Sequence, residues 1–257
     1  MDVLVTFLTE WDKFFLLLAR FTGISFIPVF NTRSIPVQWR VFFLMMLTFF
    51  AWLMGLAESA PNNPQLPVYF ILLLTEILTG IAMALVVQFF FAAVQLAGQI
   101  IDTQMGFGIM NVVDPLSGMQ IPMIGNFKYV LAILVFLNID GHHYFIQALF
   151  DSYEFIPIGH SIFFNPDFIH SYIGYFGNIF IIGCKFSMPV LGSLLIADLV
   201  LGIMARTVPQ MNIFMVGMPA KIIIGFFIIL ITVPLYIILL NVSFDDVIKQ
   251  IYNLFRY

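Results

Sequence analysis

The sequence has 257 residues, of which 61% are hydrophobic and only 9% charged, with a mean hydropathy of +1.04; soluble domains carry about 25% charged residues, so this is the composition of an integral membrane protein. The net charge of −4, with no basic cluster to displace phosphate counterions, argues against a nucleic-acid partner. Cys184 is the single cysteine, so neither an intrachain disulfide nor a cysteine metal cluster can form.

The opening stretch, MDVLVTFLTEWDK, carries Asp2, Glu10 and Asp12 where a secretory signal would carry Lys or Arg, and no small-residue cleavage site follows, so it is expected to remain in the mature chain. Apolar blocks then run over 14–30, 41–57, 68–98, 129–139, 168–205 and 222–244, which predicts six helices and an all-α, polytopic membrane protein. The third block, 31 residues, would be roughly 46 Å long if continuous, and the fifth, 38 residues, roughly 57 Å, against a bilayer core of about 30 Å. Helices of that length must tilt, break at Gly80, Gly183 or Pro189, or project beyond the lipid.

Arg33 and Arg40 in the first connection, and Arg206 and Lys221 in the last, place those two loops in the cytoplasm, whereas 140–167 holds Asp140, Asp151, Glu154 and Asp167 without Lys or Arg and suits the far side. In the third block Gln88, Gln95, Gln99 and Asp102 recur at spacings of seven, four and three, which gathers them within about 60° of one helical face. Such a polar stripe either hydrogen-bonds neighbouring helices or walls an aqueous path. Glu76, Lys185 and Asp198 lie inside apolar blocks, where each would cost about 2.5–3.5 kcal/mol facing lipid, so they are expected to face protein or water. Lys185 and Asp198 lie on nearly opposite faces of one helix and must find partners elsewhere.

The stretch from Gln99 to Lys128 separates two apolar blocks and carries almost no charge. Gly106, Gly108, Gly118 and Gly125 supply backbone freedom and Pro115 and Pro122 interrupt helix, yet the residues between are Met, Phe, Ile and Val. Irregular backbone in an apolar protein persists only where protein buries it or where it lines a cavity, so this loop is either packed core or a closure element for a conduit. Further on, Asp140, Gly141, His142 and His143 contain ligand-type side chains, but adjacent histidines on a regular element diverge; the expectation is no metal, and a turn in which Asp140 caps the next helix. His160 and His170 stand alone. No Walker loop, nucleophile elbow, HExxH or dinucleotide fingerprint occurs, so no enzymatic chemistry and no cofactor are expected. From Tyr172 to Phe244 the pattern is a helical hairpin with its turn over 206–221, where Pro209, Gly217 and Pro219 bend the chain between Arg206 and Lys221 and the apolar Met211 to Met218 invites a partner.

Together, MGFGIMNVVDP, LVFLNIDGHH and RTVPQMNIFMVGMPAKI resemble the FliR family of flagellar export gates, related to the SctT proteins of injectisomes. The resemblance extends over the whole chain, and Arg206, Pro209, Gln210, Gly217, Pro219 and Lys221 carry its most specific part. It implies a non-catalytic inner-membrane subunit of the flagellar basal body. With FliP-like and FliQ-like subunits it would form a helical hetero-oligomeric gate for unfolded flagellar proteins, beside FlhB-like and FlhA-like export proteins. It further implies a FliP-like portion over 1–167 and a FliQ-like hairpin over 168–257, and a gate closed by a loop matching Met105 to Pro122 here. Within that loop Gly106, Phe107, Gly108, Met110, Val113, Asp114, Pro115, Gly118 and Met119 are the plug residues, with Phe107, Met110, Val113 and Met119 in the constriction. An injectisome homologue and, in a different class, a solute transporter coupling through Glu76, Lys185 and Asp198 are the alternatives.

Overall fold

A computed structural model describes residues 10–32, 35–61, 64–107, 122–160, 162–208, 210 and 212–256. Among them there is no strand. The described residues hold seven α-helices in order: α1 (Trp11–Phe21), α2 (Val37–Leu53), α3 (Leu66–Met105), α4 (Met123–Asn138), α5 (Gly141–Phe155), α6 (Pro166–Thr207) and α7 (Ile213–Asn253), with 3-10 turns at Thr22–Phe26, Ile162–Phe164 and Leu254–Arg256. The chain is therefore an all-α, polytopic membrane protein. Leu66–Met105, Pro166–Thr207 and Met215–Asn253 are each long and apolar enough to cross a bilayer, and α4 with α5, bent by 64°, would make a fourth span. The first two apolar blocks do not reach that length as helices. Eleven residues of α1 and 17 of α2 fall short of the roughly 20 that a span requires.

Of the alternatives for the overlong helices, a break at Gly80, Gly183 or Pro189 does not occur. α3 runs 40 residues and α6 runs 42 without interruption, about 60 and 63 Å at 1.5 Å per residue. Gly80 serves contact instead: a Cβ there would lie 2.0 Å from the carbonyl oxygen of Arg20, so the two backbones meet only because the side chain is missing. Pro189 stays within α6, and Pro219 and Pro234 within α7. The turn before α7 is accordingly shorter than the 206–221 expected. α6 ends at Thr207 and α7 begins at Ile213, so Gly217, Pro219 and Lys221 are helical. The start signal is Asn212, whose Oδ1 accepts from the Met215 N–H at 3.4 Å.

The chain divides into two compact units, one of Met1–Phe89, Asp140–Phe176 and Asp245–Tyr257, the other of Phe90–Ile139 and Gly177–Phe244. The first is centred on a buried ion pair. Arg20 donates from Nε to Glu76 at 2.7 Å, from Nη1 to Ser152 Oγ at 3.0 Å and from Nη2 to the Ile156 carbonyl at 3.0 Å, while its guanidinium lies 4.1 Å from the centre of the Tyr153 ring. The second carboxylate oxygen of Glu76 accepts from the Gly159 N–H. Arg20 and Glu76 are 0% and 1% exposed, so every polar atom they bring inside must be matched, and these bonds tie α1, α3, α5 and the following turn together. The second unit packs Phe90, Phe91, Phe136 and Phe244 edge to face or tilted, with ring centres 4.2–5.9 Å apart. Lys128 is buried beside them; its ammonium donates to the Phe186 carbonyl at 2.8 Å and sits 4.6 Å from the Tyr236 ring centre.

Candidate functional site

The loop between α3 and α4 is anchored at both ends by one carboxylate. Asp102, 6% exposed, lies in the last turn of α3 and accepts from the Ile124 N–H through Oδ1 and from the Gly125 N–H through Oδ2, each at 3.0 Å. These are among the first N–H groups of α4, which have no partner within their own helix, and a negative charge there also meets the positive end of the helix dipole. The backbones are in contact beside this bond. A Cβ at Gly98 would fall 2.0 Å from the Gly125 Cα. A cluster of Ile101, Met105, Ile124, Val190, Leu194 and Ile229 lies beneath the anchor, with Phe107 packed against it.

α3 ends at Met105, and Gly106 takes φ +93, a left-handed conformation that favours glycine. Of the expected plug residues, Met105 is fully buried in the cluster. Phe107 is half-buried, its ring 6.5 Å from that of Phe226, and Pro122 holds the N-cap position of α4. Gly108, Met110, Val113, Asp114, Pro115, Gly118 and Met119 lie outside the described residues, as does Pro209 of the hairpin turn.

The polar stripe divides by role. Gln88, Gln95 and Gln99 are exposed along α3, but Asp102, nominally on the same face, is drawn inward as the cap of α4. The three charges inside apolar blocks differ in their surroundings. Glu76 is matched by Arg20. Asp198 pairs with Lys221 of α7 and accepts from Gln104 Nε2 at 2.7 Å. Lys185 is exposed and, among the described residues, has no partner. At the hairpin turn Arg206, Gln210 and Pro219 are exposed and Gly217 is buried, with Met215 77% exposed. Two buried cations escaped sequence reading, Arg20 and Lys128. The signal for both was present, since each is a charge in or beside an apolar run, the criterion that singled out Glu76.

Asp140 does occupy the N-cap position of α5, with φ +57, but its carboxylate makes no cap bond and lies 3.2 Å from His143 Nδ1. The expectation that His142 and His143 diverge is corrected as well: their ring centres are 4.1 Å apart. In the first turn of a helix no preceding turn restricts the rotamers, and both rings swing to one side. Asp140, His142 and His143 thus bring ligand-type atoms within 4.8 Å of one another, the one such group among the described residues.

Residues 11–247 match the family described as bacterial export proteins, family 1. The chain belongs to that family. It is 35% identical over 236 residues to the flagellar biosynthetic protein FliR of Bacillus subtilis (strain 168), covering 89% of this chain and 88% of that protein. It is 34% identical over 216 residues to FliR of Escherichia coli (strain K12), covering 82% and 80%. The secretion system apparatus protein SsaT of Salmonella typhimurium (strain LT2) is 26% identical over 160 residues, 62% of this chain and 61% of that one. The match to the family of export proteins takes in helices α1 to α6 whole and most of α7, and with them both anchors of the α3–α4 loop.

Proposed function

We propose that this chain is a FliR-type subunit of a flagellar protein export gate in the bacterial inner membrane. There it joins FliP-like and FliQ-like subunits, beside FlhB-like and FlhA-like proteins, in a channel that passes unfolded flagellar subunits, and it acts by binding and shaping that path rather than by catalysis. The observation that carries this reading is the chain-long similarity to flagellar FliR proteins at 34–35% identity, against 26% over 62% of the chain for the injectisome relative. In this reading residues 1–167 are the FliP-like portion and residues 168–257 the FliQ-like hairpin. A solute transporter would need Glu76, Lys185 and Asp198 at one site, and the separate surroundings of the three speak against it.

The loop from Met105 to Pro122 is the closure element. A path wide enough for an unfolded chain leaks ions unless blocked, and an apolar constriction closes by dewetting. Phe107, Met110, Val113 and Met119 suit that role, methionine because its flexible thioether conforms to varied cargo. Asp102 supports the reading, because it ties the end of α3 to the start of α4 on either side of this loop. Gln88, Gln95 and Gln99 would wall the wet part of the path. Shortening the loop between Gly106 and Gly118 is expected to raise dye uptake or conductance in cells that assemble the complex. An assembled complex as tight as the parent would remove the plug assignment.

A further inference from the structure

Neighbouring side chains on an ideal helix diverge by about 100°, so His142 and His143 would not share a ligand on a regular element. The start of α5 departs from that rule. The two imidazole rings lie 4.1 Å apart, centre to centre, with their planes inclined by 34°, and the Asp140 carboxylate stands 3.2 Å from His143 Nδ1. One donor atom from each of the three residues lies within 4.8 Å of the other two. All three residues belong to the first unit.

Two further observations point to a cation. His142 Nδ1 is shut off from solvent and has no hydrogen-bond partner. A ring nitrogen already stripped of water loses nothing on meeting a cation and gains the partner it lacks. Asp140 holds the N-cap position of α5 yet makes no cap bond, so its charge is not spent on the helix N–H groups. No Lys or Arg between 140 and 167 competes for that charge. The distances are compatible with one ion. Zinc holds nitrogen at about 2.0–2.1 Å and carboxylate oxygen at about 2.0–2.2 Å, which sets two donors on a tetrahedral edge about 3.3 Å apart. The 3.2 Å between Asp140 and His143 matches that edge. Closing the widest separation in the group to the same value takes at most about 1.5 Å. Rotation of two exposed side chains and one half-buried one supplies that.

We propose that Asp140, His142 and His143 bind a divalent transition-metal ion of the zinc class, which fastens the start of α5. Two imidazoles and one carboxylate select Zn²⁺, Cu²⁺, Ni²⁺ or Co²⁺ over Mg²⁺ and Ca²⁺, whose preferred ligands are all oxygen. The bound ion would clamp the residue that begins α5 to the first turn of the same helix, in place of the cap bond that Asp140 does not make. This inference is independent of the export-gate reading, since its three ligands come from one chain.

The test uses the full chain, purified alone or within its complex through a tag without histidine, and titrated calorimetrically with Zn²⁺ and, separately, Mg²⁺. One Zn²⁺ per chain should bind, and Mg²⁺ should give no heat. His142→Asn, His143→Asn and Asp140→Asn should each weaken Zn²⁺ binding at least tenfold. His160→Asn and His170→Asn, which alter the other two histidines of the chain, should leave it unchanged. Where a substitution prevents folding, the unaltered chain still decides. Zn²⁺ should protect His142 and His143, but not His160 or His170, from diethyl pyrocarbonate, as read by mass spectrometry, and bound Cu²⁺ should show coupling to two imidazole nitrogens in its electron paramagnetic resonance spectrum. Absence of Zn²⁺ binding, binding indifferent to all three substitutions, or equal modification of the four histidines with and without Zn²⁺ overturns the proposal.

Discussion

Arg20 uses all three of its nitrogens on three different elements, and lysine could not replace it because a single ammonium cannot reach all three acceptors in their fixed directions. Removing one member of a buried ion pair leaves the other charge without compensation, which costs about 3–5 kcal/mol, whereas removing both exposes neither. Arg20→Met and Glu76→Gln should therefore each lower the denaturation midpoint of the purified protein or complex steeply, while the double substitution should cost clearly less than their sum. Strict additivity in that cycle would mean that the two residues act apart. The sequence marks Glu76 by its apolar neighbours and marks Arg20 by the same token; what it does not show is that chain positions 56 residues apart meet. The fate of Asp102 was hidden for a related reason. Helical periodicity places a residue on a face, but Asp102 sits at the end of α3, where the unpaired N–H groups of another helix compete for it.

At the scale of elements, length and apolarity were legible and continuity was not. Gly80, Gly183 and Pro189 look like breaks in a linear reading, yet α3 and α6 pass through them. Gly80 and Gly98 are positions where another backbone comes too close for a side chain. That requirement depends on a partner element whose position the local sequence does not encode. Gly98→Val should push α4 away from α3, since the contact is with backbone that cannot rotate aside, and the protein should fail to accumulate in the membrane. Asp102→Ala removes the anchoring bonds and leaves the packing, so a milder loss is expected, on the order of 0.5–2 kcal/mol. Quantitative immunoblotting of membrane fractions orders the two, and a milder effect for Gly98→Val than for Asp102→Ala would refute the close-contact account.

For the whole molecule, only 17% of the apolar window of α6, and the same share of that of α7, is buried within the chain, against 50% for α3, so the last two helices depend on what surrounds them. Which way the chain faces then follows from its loop cations. Arg40 lies near the start of α2 and Arg206 near the end of α6, while the α5 region and the turn after it hold acids without Lys or Arg. Because Lys and Arg resist translocation and acids contribute little, the first two regions should be cytoplasmic and the third periplasmic. Lys221 is the weaker marker, being neutralised by Asp198. Suitable labelling positions must be exposed: Gln38, Glu154 and Gln210 are, whereas Ser152 is buried and bonded to Arg20. With Cys184, which is itself exposed, first changed to Ser, single cysteines at Gln38 and Gln210 should react with a membrane-impermeant maleimide only after the inner membrane is opened. A cysteine at Glu154 should react in spheroplasts without that treatment. Labelling of all three from one side would show that the cations do not set the orientation, and that assembly partners override the charge rule in this fold.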